Sequence, residues 1–116
     1  MSEEASNFEE MSPSEANEAL SGGAYLLDVR EDDEWEAGHA AIAHHIPLGE
    51  LEDRYGEIPL GQPIVCVCRG GGRSARAAGA LAGVGYTTIN LAGGMRAWAA
   101  EGFVVTTDDG ADGEVI

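Results

Sequence analysis

The sequence contains no lysine, and its six cationic side chains are all arginine, against 21 aspartates and glutamates. The formal net charge of −15 excludes a generic nucleic-acid or anionic-membrane surface, because such binding depends on lysine and arginine meeting phosphates. Proteins kept soluble at high salt carry this kind of acidic surplus, since screening reduces the self-repulsion. We therefore expect a salt-adapted source.

Long apolar runs are also absent, and none approaches the roughly 20 residues needed to span a bilayer. The first residues have neither the basic nor the apolar region of a signal peptide, so we expect a cytoplasmic protein that does not bind membranes. The two cysteines, Cys66 and Cys68, are too few and too close for a disulfide framework. Their role is therefore chemical or incidental.

The length of 116 residues fits one domain. Residues 2–10 and 106–116 are acidic and lack periodicity, which predicts frayed ends. We expect a flexible N-terminus at residues 1–7, a folded domain at 8–105 and a flexible acidic tail at 106–116.

Strand-like and helix-like segments alternate within the domain, which favours an α/β fold with a mostly parallel sheet. Ser12 and Glu15 form a capping box with Pro13 at the first helical position, and Gly22 ends that helix. Apolar runs predict strands at 24–27 and 64–68, and residues 87–91 are interpreted as the last strand. Further helices are predicted at 33–37, 48–55, 74–81 and 95–101.

One glycine-rich loop joins the second predicted strand to a helix, which is where ligands bind in open α/β sheets. Its sequence is Cys68-Arg69-Gly70-Gly71-Gly72-Arg73-Ser74. Consecutive glycines let the backbone curl so that several amides point into one space, an arrangement that binds anions.

A thiolate inside this loop is stabilised by the amides and by the N-terminus of the following helix. Arg69 and Arg73 add cationic groups suited to an oxyanion. We therefore predict that Cys68 is a nucleophile that forms a covalent intermediate. The alternative is that Cys68 is a small buried hydrophobe and that the glycines only make a tight turn.

Several further motifs accompany this loop in a fixed order. They are Asp28-Val29-Arg30, Glu34-Trp35, Gly38-His39, Ala43 with Ile46-Pro47, Gly85-Tyr86, and Leu91-Ala92-Gly93-Gly94 leading to Ala97-Trp98. Together with the Cys68 loop they resemble the rhodanese family of sulfurtransferases over nearly the whole domain.

The resemblance implies a five-stranded, mostly parallel sheet with helices on both faces, and a reaction without a cofactor. Cys68 would take sulfane sulfur from thiosulfate or a similar donor, become a persulfide, and pass the sulfur to cyanide, a thiol or a partner protein. Arg69 and Arg73 would bind the sulfonate, and the implied substrate-binding residues are Arg69, Gly70, Gly71, Gly72, Arg73 and Ser74.

Related phosphatases and arsenate reductases have five residues between the cysteine and its arginine, whereas four lie between Cys68 and Arg73. The smaller loop favours sulfur transfer over phosphatase or arsenate reductase activity. A sulfur carrier or interaction module that hands persulfide sulfur between proteins stays open as an alternative. The sequence departs from the family pattern at Ile42 and at His44-His45.

Other polar residues have structural explanations. We expect Cys66 to pack in the core rather than act as a resolving thiol. Asp28 and Arg30 are interpreted as an ion pair or a cap, with Glu34 as a further partner for Arg30. Adjacent histidines on an extended segment point to opposite faces, so His44 and His45 do not predict a metal site. We expect His39 to make a local hydrogen bond.

Overall fold

The apolar runs of the sequence form the centre of a five-stranded sheet. A computed structural model describes residues 7–116. The strands are β1 (Glu9–Met11), β2 (Tyr25–Asp28), β3 (His44–His45), β4 (Ile64–Val67) and β5 (Thr88–Leu91). They are arranged in the order β1-β5-β4-β2-β3, and every pairing is parallel. The expected α/β fold is therefore confirmed.

The central strand β4 is buried along its whole length, as its β-branched composition predicts. Its side chains alternate between two hydrophobic clusters, with Ile64 and Cys66 in one and Val65 and Val67 in the other. Cys68, the next residue, continues the first set. The end of this strand therefore delivers the Cys68 side chain to one defined face of the sheet.

Helices cover both faces of the sheet. Helices α1 (Pro13–Ser21) and α5 (Gly94–Ala100) bury Ala16, Leu20, Met95 and Trp98 in one cluster. Helices α3 (Leu51–Arg54) and α4 (Gly72–Gly83) bury Leu51, Ala77, Ala78 and Leu81 in the other.

A fifth helix, α2 (Asp32–Ala37), lies between β2 and β3. Short 3-10 turns at Leu48–Glu50 and Tyr55–Glu57 flank α3.

The predicted capping box is present at the start of α1. The Glu15 amide donates to Ser12 Oγ at 3.2 Å, and the Ser12 amide donates to Glu15 Oε1 at 2.9 Å. The first helix therefore begins where the sequence places it.

The structure corrects the interpretation of the two chain ends. Residues 1–6 of the predicted flexible N-terminus lie outside the described residues, and Asn7 is exposed. Glu9 and Glu10, which belong to the acidic stretch 2–10 that was expected to fray, form β1 together with Met11 and pair with β5. A three-residue edge strand with two glutamates has too short a pattern to be recognised.

The C-terminal segment, residues 106–116, is held against the domain rather than flexible as expected. The backbones of His39 and Thr106 exchange two hydrogen bonds of 2.8 Å, and the Glu114 amide donates to Ala37 O at 2.9 Å. Val115 packs against the core. The acidic composition of this segment reflects its exposed side chains, whereas its backbone groups and Val115 provide the attachment.

Within residues 7–116, no helix has the length and apolar character required to cross a membrane.

Candidate active site

Cys68 lies directly after β4, with 1% of its surface exposed, and the loop that follows wraps around its sulfur. Gly71 precedes α4 with a φ of 112°, in the left-handed region that favours glycine. Gly70 and Gly72 do not have such a φ, and a Cβ added to either would meet no atom within 4 Å. Only the middle glycine of the three is therefore required by the backbone conformation.

Two donors contact the sulfur of Cys68. The Gly71 amide lies 3.1 Å from Sγ, and the Ser74 hydroxyl lies 3.2 Å away on the first turn of α4. Burial opposes ionisation of Cys68, but hydrogen bonding from the Ser74 side chain and from the amides of Ser74, Gly71 and Gly70 outweighs it. The pKa of the Cys68 thiol is therefore lowered, which increases the thiolate population at neutral pH.

Cys66 has the opposite environment. It is fully buried on the same face of the sheet, in the core beneath Cys68. Burial, with a contribution from the nearby Cys68, raises the pKa of the Cys66 thiol to about 12. Both cysteines are free thiols, and only Cys68 is arranged as a nucleophile.

Arg73 does not point a free guanidinium at the sulfur. Its Nη1 and Nη2 atoms donate to the two carboxylate oxygens of Glu34 at 2.8 and 2.9 Å. Glu34 also accepts the amide of Glu31 at 2.9 Å as part of the capping box of α2. Hydrogen bonding from Arg73 lowers the pKa of Glu34 to about 2. Arg73 thus ties α4 to α2.

Asp28 and Arg30 form the predicted ion pair, and both are fully buried at the end of β2. The Arg30 Nε lies 2.9 Å from Asp28 Oδ1, and Nη2 donates both to Asp28 Oδ2 and to Gly38 O at 2.8 Å. The expectation that Glu34 also pairs with Arg30 is wrong, because Glu34 is engaged by Arg73. The pair joins β2 to the end of α2.

Arg69 is exposed, and its Nε donates to the oxygen of Ile116 at 2.7 Å. The carbonyls of Cys68 and Arg69 accept the amides of Met95 at 2.8 Å and Arg96 at 3.1 Å. A Cβ on Gly94 would collide with the Cys68 carbonyl oxygen and the Arg69 backbone, so glycine is required for this close approach. The start of α5 thereby fixes the backbone of Cys68, the predicted nucleophile.

Sequence reasoning did not identify Asn90 as part of the site. This residue of β5 is 3% exposed, and its Oδ1 lies 2.6 Å from Ser74 Oγ. Its Nδ2 donates to Gly71 O at 3.1 Å and to the Glu10 carboxylate at 3.1 Å. The available signal was an asparagine between Ile89 and Leu91 in the last predicted strand, where burial requires hydrogen-bond partners.

Two of the three histidines, His39 and His45, form a separate cluster with Trp35 of α2, and the third, His44, stacks on Tyr25 of β2. The ring of Trp35 stacks between those of His39 and His45, with centroid separations of 3.6 and 4.8 Å. His39 Nδ1 donates to Trp35 O at 2.8 Å, which is the predicted local hydrogen bond. Across residues 7–116, no three histidine, cysteine or carboxylate groups are placed to hold a metal ion.

Comparison with known proteins identifies several relatives, and the names of two of those described here refer to sulfur transfer or sulfur carriage. GlpE, a thiosulfate sulfurtransferase of Ectopseudomonas mendocina, is 33% identical over 96 residues, covering 82% of this chain and 88% of GlpE. YrkF of Bacillus subtilis, named as a candidate sulfur carrier protein, is 42% identical over 74 residues, or 63% of this chain and 40% of YrkF. YqhL, an uncharacterized protein of Bacillus subtilis, is 45% identical to this chain over a segment that covers 65% of this chain and 60% of YqhL.

A rhodanese-related protein from Thermoplasma volcanium has a similar solved structure, with a TM-score of 0.82 and 27% identity over 87% of this chain and all of that protein. The sequence model of the protein family described as the rhodanese-like domain matches residues 12–101, from the N-cap of α1 to the C-cap of α5. This range contains Cys68, its loop and Asn90. The chain therefore belongs to the family of rhodanese-like domains.

Proposed function

We propose that this chain is a sulfurtransferase that moves sulfane sulfur through a persulfide on Cys68. The observation that carries the proposal is the cradle at Sγ, where the Gly71 amide and the Ser74 hydroxyl meet one nearly buried sulfur. Donors fixed around a buried atom stabilise negative charge on it at little reorganisation cost. Such a cradle suits a cysteine that alternates between thiolate and persulfide.

The first half of the cycle loads the cysteine. The Cys68 thiolate attacks the outer sulfur of thiosulfate, the new bond joins Sγ to that sulfur, and the sulfur–sulfur bond of the donor breaks. The electron pair of the broken bond leaves with sulfite, so no oxidant or cofactor is consumed. Loop amides that stabilise the thiolate also lie near the negative charge of the persulfide.

The second half of the cycle unloads the outer sulfur. A thiolate or cyanide attacks the outer sulfur, forming an acceptor persulfide or thiocyanate, and the electron pair of the broken bond returns to Sγ as the Cys68 thiolate. The steps balance without a proton at the sulfur. A nucleophile with a lowered pKa is also a good leaving group, so the Cys68 environment favours this release.

The short loop between Cys68 and Arg73 supports sulfur, rather than a phosphate or arsenate group, as the group that is transferred. Four residues separate Cys68 from Arg73, and Arg73 is held by both oxygens of Glu34. This arrangement leaves Arg69, whose Nη atoms bond no described residue, as the cation best suited to the sulfonate of the donor. We assign Arg73 to positioning α4 instead.

Mass spectrometry of the intact protein after incubation with thiosulfate tests the proposal. We expect a gain of one sulfur atom, its loss on addition of cyanide, and formation of thiocyanate. Cys68→Ser is expected to abolish the gain. The matched control is Cys66→Ala, which removes the other thiol from the same face of the sheet and is expected to retain it. A gain that survives Cys68→Ser contradicts the proposal.

A sulfur carrier is the second candidate function, favoured by the similarity to YrkF over 63% of this chain. In that case a protein persulfide loads Cys68 efficiently while thiosulfate does not, and thiocyanate forms slowly. Comparing thiosulfate, mercaptopyruvate and a protein persulfide as donors in the same mass assay distinguishes the two functions.

A further inference from the structure

Two buried polar residues of β5 reach across to α4. Thr88 Oγ1 donates to Ala78 O at 2.8 Å, and Asn90 contacts Ser74 and Gly71 at the opposite end of the strand. Each is 3% exposed. Thr88 therefore makes a purely structural link between the strand and the helix, whereas Asn90 makes its link beside the sulfur.

The hydrogen bonds of Asn90 fix the orientation of its amide. Its Nδ2 faces two groups that only accept, Gly71 O and the Glu10 carboxylate, so both amide protons have partners. Its Oδ1 must therefore face Ser74, and an amide oxygen can only accept. At 2.6 Å, this contact requires that the Ser74 hydroxyl donate its proton to Asn90.

Ser74 has only one proton to donate. Its oxygen lies 2.6 Å from Asn90 Oδ1 and 3.2 Å from Cys68 Sγ, with Gly71 O at 3.3 Å. While the Ser74 hydroxyl donates its proton to Asn90 Oδ1, its oxygen presents a lone pair to Sγ. This arrangement suits the protonated form of Cys68, because a thiol can donate to that lone pair. When Cys68 ionises, the hydroxyl must turn to the sulfur and leave Oδ1 without its donor.

We infer that Asn90 is a positioning residue that competes with the sulfur of Cys68 for the Ser74 proton and so sets how strongly the cradle holds an ionised sulfur. The competition for the Ser74 proton exists for any thiolate at this position and does not depend on the proposed function. Only the use of this competition in sulfur transfer rests on the proposed function. Asn90 touches neither the donor nor the sulfur, and it acts through Ser74.

The charged and titratable groups around the cradle come from the loop and from α4, α2, β4 and β1. Arg69 of the loop is exposed and donates to Ile116 O. Arg73 of α4 is paired with Glu34 of α2 and interacts with Cys68 only through its charge, and Cys66 of β4 lies beneath. Glu10 of β1 lies beyond Asn90.

Substituting Asn90 by an uncharged residue adds no charge and leaves the ion pair of Arg73 with Glu34 in place. It also removes the bonds from Asn90 to Glu10 and to Gly71 O, so the effect on the Ser74 hydroxyl is isolated in the Ser74→Ala background.

The rate of Cys68 alkylation by iodoacetamide as a function of pH measures the apparent pKa of the thiol without any sulfur transfer. Asn90→Ala frees the Ser74 proton for the thiolate, so we expect the midpoint to fall by about 0.5–1 pH unit. A merely structural role gives the opposite sign, because loosening the loop removes donors from a buried sulfur and raises the pKa toward its usual value.

A double-mutant cycle shows whether Asn90 acts through Ser74. In the Ser74→Ala background, Asn90→Ala is expected to cause no further shift. Thr88→Val is the matched control: it removes a buried bond between β5 and α4 and is expected to lower stability without moving the midpoint. Asn90→Leu fills the space without an acceptor and serves where the alanine variant folds poorly, as judged by circular dichroism.

The inference is overturned by an unchanged or higher midpoint in the Asn90 variants, or by an equal shift in the Ser74→Ala background. The mass assay with thiosulfate is scored separately. If the wild type fails to gain sulfur, the proposed function is contradicted. The alkylation assay still measures the competition for the Ser74 proton in that case.

Discussion

At the scale of single residues, the contact between Glu34 and Arg73 explains how a surface helix takes part in the site. Glu34 caps α2 through the Glu31 amide and also holds Arg73 at the start of α4 through two bonds. Because the carboxylate is mostly buried and its pKa is about 2, the ion pair stabilises the fold over most of the pH range.

The pH dependence of this stabilisation has a defined sign. The pKa of Glu34 is lower in the folded state than in the unfolded chain, so its contribution is present above about pH 4.5 and is lost as the pH falls toward about 2. We expect Glu34→Gln, which keeps the capping geometry, to be less stable than the wild type at pH 7 and equally stable near pH 2.

Urea denaturation at a series of pH values measures this difference. Glu36→Gln, an exposed change on the same helix, is the control and is expected to leave the curve parallel to that of the wild type. A stability difference for Glu34→Gln that does not vary with pH would assign the effect to packing.

Residue patterns predicted Cys68 as a nucleophile but did not predict all of the residues that surround its sulfur. Cys68, the glycines and the arginines stand together in the sequence, so their proximity follows from the chain itself. Asn90 and Glu10 lie 16 and 64 residues from Ser74. The parallel pairing of β5 with β4 brings Asn90 to the loop, and the pairing of β1 with β5 brings Glu10. The partner of Arg73 was likewise missed, because Arg30 was nearer to Glu34 in sequence.

At the scale of secondary structure, the central elements were predictable because each has a strong local pattern. Strands β2, β4 and β5 are apolar runs with clear boundaries, and α1 has both a cap and a stop. The edge strands β1 and β3 have three and two residues and carry charge or histidine. Such strands are defined by their neighbours rather than by their own composition.

The C-terminal segment provides a prediction at the same scale. Val115 packs against the core cluster below α2, whereas Val104 is 73% exposed. We expect Val115→Ala to lower the free energy of unfolding by about 1 kcal/mol, because it removes buried methyl groups. Val104→Ala is the matched control and is expected to change it little.

Thermal unfolding followed by circular dichroism, together with urea titration, measures both variants. Equal effects of the two substitutions would mean that residues 106–116 contribute no packing and that their hydrogen bonds alone hold them to the domain.

At the scale of the whole molecule, we expect repulsion among the acidic side chains to be the main electrostatic effect on stability. The net charge is −15, and three of the six arginines, Arg30, Arg54 and Arg73, are already paired with carboxylates in the described part of the chain. Many exposed acids therefore face one another without compensation. Repulsion of this kind weakens as the screening length shortens with salt.

We expect the melting temperature to rise between about 0.01 M and about 1 M KCl, as the Debye length falls from roughly 30 to 3 Å. The control is a variant with four exposed acids changed to amides, Asp33, Glu36, Asp53 and Glu101, which should show a smaller rise. A melting temperature that is flat or falls with KCl would contradict salt adaptation.

The attachment of α5 to the loop has a consequence for synthesis. The amides of Met95 and Arg96 and the close approach of Gly94 fix the backbone of Cys68 and Arg69. These three residues of α5 all leave the ribosome more than 20 residues after Cys68. We therefore expect Cys68 of a nascent chain to lack this backbone support until the last third of the sequence has folded.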